Sequence, residues 1–494
     1  MNKDEWIDEY GVMYSADKKM KIHVEIAGTL PELIDEKLKY QITELNLSGN
    51  LNGTDIRFIR EMAGRDKYSR ETKGKLAILD IAGANIVSGG NYYVYDSYYK
   101  SYLYTENNTI VRMFTFCNEL DTIILPENSV VICYDAFICC NSLRKLVISE
   151  NNSNYTTIDG VLFSKDEKTL ICVPVAKTGS YSIPNSVTTI ELSAFYYSNL
   201  QKIKIPDSVT EIKQWAFNNC KNLKRIVLPD KLTKINNFTF AYCNELTSVT
   251  IGDSIREIDV GSFRLCPKLN EFIVSEQNEN FSVKDGVLFN KDKTVLICYP
   301  SAKESSFYAI PQGVKKIKHY AFESCLNLKM ITIPDSIEDI CKHAFGEHCS
   351  YLDIYIKNPR PVVFEEELFG VPLNEIDKRC CMLYVPKGSS LAYRKSLIWN
   401  EFEFIIETEE NDVLKEIDES NLLRYTTCNS GHVEILENTI FFQLFDLQGR
   451  KIKPSIFSEE NYRSGKFDRF VKKHKGVYAV IKAGNRIINQ KIIW

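Results

Sequence analysis

The sequence lacks most of what marks an enzyme or a membrane protein. No window reaches the ~18 uninterrupted apolar residues that a helical membrane span requires. Histidine is scarce: His23, His319, His343, His348, His432 and His474 are all there are, and none falls in His-Glu-x-x-His. There is no Gly-x-Ser-x-Gly elbow, no Walker loop and no dinucleotide glycine pattern. Paired carboxylates occur only in acidic runs, which gives glycosidase chemistry no anchor. The expectation is a non-enzyme with no cofactor and no metal. A net charge of −4 excludes wholesale binding of polyanions, so no nucleic-acid partner is expected, although local basic patches remain open.

What the chain does have is a period. Phe114, Phe137, Phe195, Phe217, Phe240, Phe263, Phe322 and Phe345 lie 22 or 23 residues apart, except across two gaps of 58 and 59. Five residues before Phe stands Ile in seven of the eight units, as in Ile190, Ile212 and Ile235. Three residues after it comes Cys117, Cys140, Cys220, Cys243, Cys266 or Cys325, and three later a leucine such as Leu223 or Leu246. The segment from Leu223 to Leu228 alternates apolar and polar residues, the pattern of a half-buried strand. Pro206-Asp207-Ser208 ends the preceding strand in a turn, because proline fixes φ and Asp or Ser bonds the local backbone. A shorter strand, Val209 to Ile212, follows, and the Ala-Phe corner turns the chain back. One such unit cannot bury its apolar face alone, whereas stacked units form ladders of Ile, Phe, Cys and Leu.

The two long gaps hold a matched pair of insertions. Asp159-Gly160-Val161-Leu162-Phe163 and Leu170-Ile171-Cys172 parallel Asp285-Gly286-Val287-Leu288-Phe289 and Leu296-Ile297-Cys298. Strand, charged turn and strand predict a hairpin projecting from the stack. Fifteen cysteines would ordinarily raise disulfides or metal, but the register accounts for a ladder of them as small buried hydrophobes. Cys341, His343, His348 and Cys349 have a zinc-like density of ligands. The register instead places Cys349 on the packing ladder and Cys341 just after the isoleucine.

Two stretches are candidate contact surfaces. Tyrosines crowd one segment, namely Tyr92, Tyr93, Tyr95, Tyr98, Tyr99, Tyr102 and Tyr104, with Tyr98 and Tyr99 the residues singled out for binding. Tyrosine offers large contact area at low entropy cost, which suits glycan or protein recognition. The alternative is an ordered loop covering the start of the repeats. On the strands, Lys145, Lys202, Lys204 and Arg225 fall at outward positions if Ile and Leu point inward. Stacking would line them up as a basic stripe able to attract sulfated glycans or acidic proteins, or simply as a solvated face.

The unit resembles the repeat of the BspA-type leucine-rich-repeat family of bacterial surface proteins, over residues 106 to 352. The segments Val24 to Leu30, Ile42 to Gly49 and Leu79 to Gly83 resemble the N-terminal cap of Bacteroidetes members. Leu383 to Ser389, Ala392-Tyr393, Trp399 and Phe402 resemble the closing cap. Phe445 to Arg450, Gly476 to Val480 and Ile487-Ile488 resemble the sorting domain of type IX secretion, with His474-Lys475-Gly476 where that domain has a proline before Lys-Gly. The implied fold is a mainly β repeat solenoid, a right-handed leucine-rich-repeat stack. An α/β N-terminal cap (1–105) precedes the array (106–352). An array cap (353–408), an acidic linker (409–431) and a small β-sandwich-like domain (432–494) follow. The resemblance implies a monomeric adhesin at the cell surface or outside it, whose partner is an extracellular protein or glycan. An envelope scaffold without soluble ligand is the alternative. No signal-peptide-like segment begins the chain, so that location implies a leader already removed.

Overall fold

In the computed structural model the described residues are 5–7, 13–15, 18–96, 100–346, 352–362, 382–396, 399–402, 404–408, 440–445, 451–452, 478–483 and 486–490. The chain divides into two compact units, Met1–Lys268 with Ile273–Asn280 and Leu269–Phe272 with Phe281–Trp494. Both are built from stacked β coils, and the expected mainly β repeat solenoid is what each unit shows.

In the first unit the parallel strands Lys19–Val24, Glu44–Leu51, Ile78–Ile86, Thr122–Ile124 and Lys145–Val147 follow one another in a sheet. Met20, Leu45, Leu79, Ile123 and Leu146 are register partners in turn and are all buried. This ladder crosses residue 105 without a break. Period-two alternation makes it possible, because one residue's slip would turn every apolar side chain to solvent. Helix Gly53–Met62 buries Ile56, Ile59 and Met62. Its start is a full capping box: Asn52 accepts from Thr54 N at 2.9 Å, and Asp55 accepts from Asn52 N at 2.8 Å. Asp55 also accepts from Gly28 N and Leu30 N, which tie the first loop to the helix; burial nonetheless pushes its ionisation up.

The repeat forms three kinds of rung. Two-residue parallel strands put Ile190 opposite Ile212 and Ile235 opposite Ile258. Phenylalanine rings stack nearly parallel: Phe195–Phe217 at 4.7 Å and 18°, Phe217–Phe240 at 5.2 Å and 11°, Phe240–Phe263 at 5.9 Å and 6°. At the corners, residues two before and two after Phe adopt left-handed backbone, such as Trp215 (φ 57°) and Asn219 (φ 59°), or Phe238 (φ 53°) and Tyr242 (φ 61°). That conformation costs roughly 1–2 kcal/mol per non-glycine residue. Bonds to the next coil offset it: Phe217 N donates to Thr239 O (3.0 Å), and Asn219 N to Ala241 O (2.9 Å).

The cysteine rung has a chemistry of its own. Cys140 Sγ donates to Phe114 O at 2.8 Å, Cys220 to Phe195 O at 3.1 Å, Cys243 to Phe217 O at 3.2 Å and Cys266 to Phe240 O at 3.1 Å. Each thiol therefore gives a carbonyl of the preceding coil a donor; Phe114 O, Phe195 O and Phe217 O also accept a backbone N–H, so the thiol fills the second lone pair. Burial pushes the Cys140 and Cys243 thiols well above their ordinary ionisation. Among the described residues Cys117, Cys140, Cys220, Cys243, Cys266 and Cys325 are buried.

The insertions do not project, contrary to the expectation from sequence. In the first unit Tyr155–Ile158, Val161–Ser164 and Thr169–Cys172 form antiparallel hairpins, and the last strand then pairs in parallel with Thr189–Ile190. Leu170 occupies the isoleucine rung opposite Ile190, and Val173 N donates to Ala194 O as Phe195 N does to Ala216 O. Val161, Leu162, Phe163 and Leu170 are fully buried. The insertion is thus a shortened coil whose hairpin lies within the sheet, because its apolar strands have more area to bury than a free hairpin hides. Asn152 begins it by donating to Glu127 O (2.7 Å) and Ser129 O (3.0 Å) of the coil before. Asn278 does the same toward Gly252 O (2.8 Å) and Ile255 O (2.9 Å).

The second unit repeats the device. Phe281–Lys284, Val287–Asn290 and Val295–Cys298 lead into Lys316–Ile317 and Asp339–Ile340, with Leu296 opposite Ile317. Tyr299 takes the corner position and lies 5.4 Å from Phe322, which stacks on Phe345 at 5.5 Å. Parallel strands Phe307–Ala309, Met330–Ile333, Asp353–Ile356, Met382–Pro386 and Phe404–Thr408 make the other sheet. Buried Tyr393, Trp399 and Phe402 close it, with Trp399 Nε1 donating to Val362 O at 3.0 Å. Ile440–Phe445, Lys451–Ile452, Tyr478–Ala483 and Arg486–Gln490 form a four-stranded antiparallel sheet. The acidic linker (409–431), residues 446–450 of the Phe445 to Arg450 segment, and residues 474–477 lie outside the described residues. No helix among the described residues is long and apolar enough to cross a membrane.

Candidate functional site

The tyrosine segment folds as an antiparallel hairpin, Gly89–Asp96 with Ser101–Thr105, laid against helix Gly53–Met62. Its register breaks between Gly89 and Val94. The irregularity re-aims side chains. Tyr92 and Tyr95, an odd number of residues apart, both reach the Tyr102 side, while Tyr93 turns inward and donates to Val111 O at 2.6 Å. Ring centroids lie 4.7 Å apart for Tyr92–Tyr102, 5.0 Å for Tyr95–Tyr102 and 6.3 Å for Tyr92–Tyr104, tilted by 59°, 47° and 72°. Tyr102 and Tyr104 keep 53% and 55% of their surface in water.

A loop after the helix completes the platform. Tyr68 lies 6.1 Å from Tyr95, and its hydroxyl is 3.2 Å from that of Tyr92. Lys67 Nζ sits 4.9 Å from the Tyr92 ring centroid and 5.1 Å from that of Tyr68, and Arg70 lies over Tyr68 at 4.9 Å. The hydrogen bond from Lys67 holds the Tyr92 hydroxyl below the usual phenol range, and it raises Lys67 in turn. Tyr95 N donates to Lys67 O at 2.7 Å, and Asp66 accepts from Tyr68 N and Arg70 N, so loop and hairpin are fixed to each other. At the hairpin's end Arg112 pairs with buried Asp96 and with Asp135. Beside the hairpin opens a pocket of about 230 Å³, lined by Tyr93, Tyr102, Leu103, Tyr104 and Val111 together with Glu106 and Thr109.

Tyr98 and Tyr99 lie outside the described residues. The platform forms instead from their neighbours and from Tyr68 and Lys67, which sequence reasoning missed because only the fold brings that loop to the hairpin. On the strands, Lys145, Lys202, Lys204 and Arg225 are all exposed. Lys202 and Lys204 are register partners of Ser180 and Ser182, Arg225 is that of Ser248, and Lys224 N donates to Gln201 O, placing Lys202 and Arg225 on successive coils. Lys145 does not join them. The first insertion lies between: Leu146 N donates to Gly160 O, and Ser180 occupies the rung before Lys202. The expected unbroken basic stripe is therefore a cluster of three, because the inserted coil contributes serine. His343 stacks on Tyr320 at 5.6 Å, while His348 and Cys349 lie outside the described residues. Among the described residues no group of three or more His, Cys, Asp or Glu is placed to hold a metal ion.

A profile of the BspA type leucine rich repeat region matches residues 85–171, 175–291 and 298–376, in six copies. No curated protein matches the chain. Among solved structures the chain is similar to a leucine rich cell surface protein from Faecalibacterium prausnitzii. That match has 18% identity, covers 86% of this chain and 100% of that one, and has a TM-score of 0.38. It is similar also to the pneumococcal vaccine antigen PcpA, at 17% identity over 82% and 98%, with a TM-score of 0.33. A leucine-rich repeat protein from Bacteroides ovatus matches at 18% identity over 61% and 88%, with a TM-score of 0.32.

Proposed function

The chain belongs to the BspA-type leucine rich repeat family, and from that premise we propose that it is a non-catalytic binding protein, an adhesin at the cell surface or outside the cell. The observation that carries this reading is the tyrosine platform, whose Tyr102 and Tyr104 stay half in water on a hairpin otherwise tied down. Tyrosine keeps few rotatable bonds, so a preset cluster of it binds with little ordering cost. The ligand is an extracellular protein or glycan.

The test is capture by the intact chain of matrix proteins, mucins and an array of glycans, at low and high salt. Saturable capture that is indifferent to salt and lost in a Tyr92→Ala, Tyr102→Ala double variant supports the platform. A second surface has its own observation, the cluster of Lys202, Lys204 and Arg225 on successive coils. Capture that weakens with salt and disappears on Lys202→Glu with Lys204→Glu moves the contact there. No capture by a correctly folded chain favours the envelope scaffold.

A further inference from the structure

We propose that the pocket beside the tyrosine hairpin is a carbohydrate subsite, which takes one uncharged sugar ring of a glycan against Tyr102 and Tyr104. The proposal rests on the binding reading above and names its ligand class. Size comes first: at about 230 Å³ the pocket falls below the ~300–1,000 Å³ that drug-sized ligands occupy, which leaves room for a single ring-sized group.

The lining fits a pyranose. Tyr102 and Tyr104 are two residues apart on one strand and so share a face. Tyr92 meets both at steep angles, 59° and 72°, bracing them from one side and leaving much of each ring open to solvent. Rings with open faces accept the C–H face of a sugar, while Leu103, on the core-facing side of the strand, lines the inner wall with Tyr93 and Val111. Glu106 and Thr109 supply the complementary polar edge. A carboxylate accepts hydrogen bonds from two neighbouring hydroxyls, and such charge-assisted bonds are about twice as strong as neutral ones. Glu106 is exposed where it lines the pocket, so its oxygens are accessible to a ligand.

Charge decides which sugar. Glu106 is the charged side chain of the lining and disfavours sulfated or carboxylated rings, while Lys67 is held by the Tyr68 and Tyr92 rings. The walls are also set in advance. Tyr93 donates to Val111 O at 2.6 Å, Thr105 Oγ1 to Gly89 O at 3.1 Å, and Arg112 pairs with Asp96. Little need be ordered when a sugar arrives.

The experiment titrates the intact chain with uncharged oligosaccharides (glucose, galactose, mannose and N-acetylglucosamine series) and with sialylated and sulfated ones, following tyrosine fluorescence and heat. At least one uncharged series is expected to bind saturably. Tyr102→Ala with Tyr104→Ala should weaken it at least about tenfold with the melting temperature unchanged, and Tyr104→Phe should keep it, since the ring face is retained. Glu106→Gln should weaken uncharged sugars and relieve the exclusion of acidic ones. Preference for acidic glycans in the unaltered chain overturns the proposal. So does capture of a protein or peptide through the same tyrosines with no sugar bound, an outcome that leaves the binding function standing. Failure to bind any sugar or protein overturns both.

Discussion

Two aromatic arrays in the first unit have nearly the same ring spacing and opposite characters. The phenylalanines of the corners sit 4.7–5.9 Å apart from Phe195 to Phe263, within 18° of parallel. Phe195, Phe217 and Phe240 are fully buried. The tyrosines of the hairpin sit 4.7–6.3 Å apart but tilt by 47–72°, and two of them remain half exposed. Parallel rings follow from translation: each coil repeats the last, so equivalent side chains adopt one rotamer and stack. The hairpin repeats nothing, its register slips, and its rings meet edge to face, as quadrupoles prefer where no lattice dictates otherwise. Ring density alone therefore does not separate core from contact surface; orientation and exposure do.

The comparison breaks most readily at its strongest point. Phe217→Ala should cost about 3–5 kcal/mol in urea denaturation followed by circular dichroism, because it opens a cavity between two stacked rings. Asn278→Ala should cost about 1–3 kcal/mol by the same measurement, since Gly252 O and Ile255 O lose a buried donor. Asn152→Ala should match it, and a silent Asn152 would show that the two insertions are not equivalent.

Alkaline pH probes the thiols between the rings. Burial raises Cys139 to about 11 and holds Cys140 well above its ordinary value, against ~8.5 in an unfolded chain. A folded state that holds an acid protonated keeps that stability in full below the unfolded value and loses it as pH rises toward the folded one. The urea midpoint should accordingly fall between about pH 8.5 and 11, and iodoacetamide at pH 8 should label the native chain far more slowly than the unfolded one. A flat midpoint across that window would mean the thiols are not buried as described. Cys243→Ala should cost about 1 kcal/mol for the lost bond to Phe217 O, and Cys243→Ser less. Tyr102→Ala closes the series with a stability change within about 0.5 kcal/mol. If it destabilises as Phe217→Ala does, the hairpin is core and the proposed platform fails.

Much of this was legible beforehand. Ile five before Phe and Cys three after it sit on the rungs their spacing assigns, as Ile212, Phe217 and Cys220 show. Tyr393, Trp399 and Phe402 are buried in one core cluster of the second unit. The thiol-to-carbonyl bonds were not legible, because they join residues 25 or 26 apart on different coils. Nor was the burial of the insertions, where Asp159-Gly160 and a charged turn read locally as an exposed hairpin.

By itself, then, the sequence determined the stack: in a coil that repeats by translation, equal spacing becomes spatial contact, and period is structure. The tertiary structure alone decided where that translation is interrupted. One register break turned Tyr93 inward and Tyr92 outward, a distant loop brought Tyr68 and Lys67 to the platform, and an inserted coil set Lys145 apart from Lys202. Each depends on contacts between segments that share no period, and no spacing along the chain encodes them.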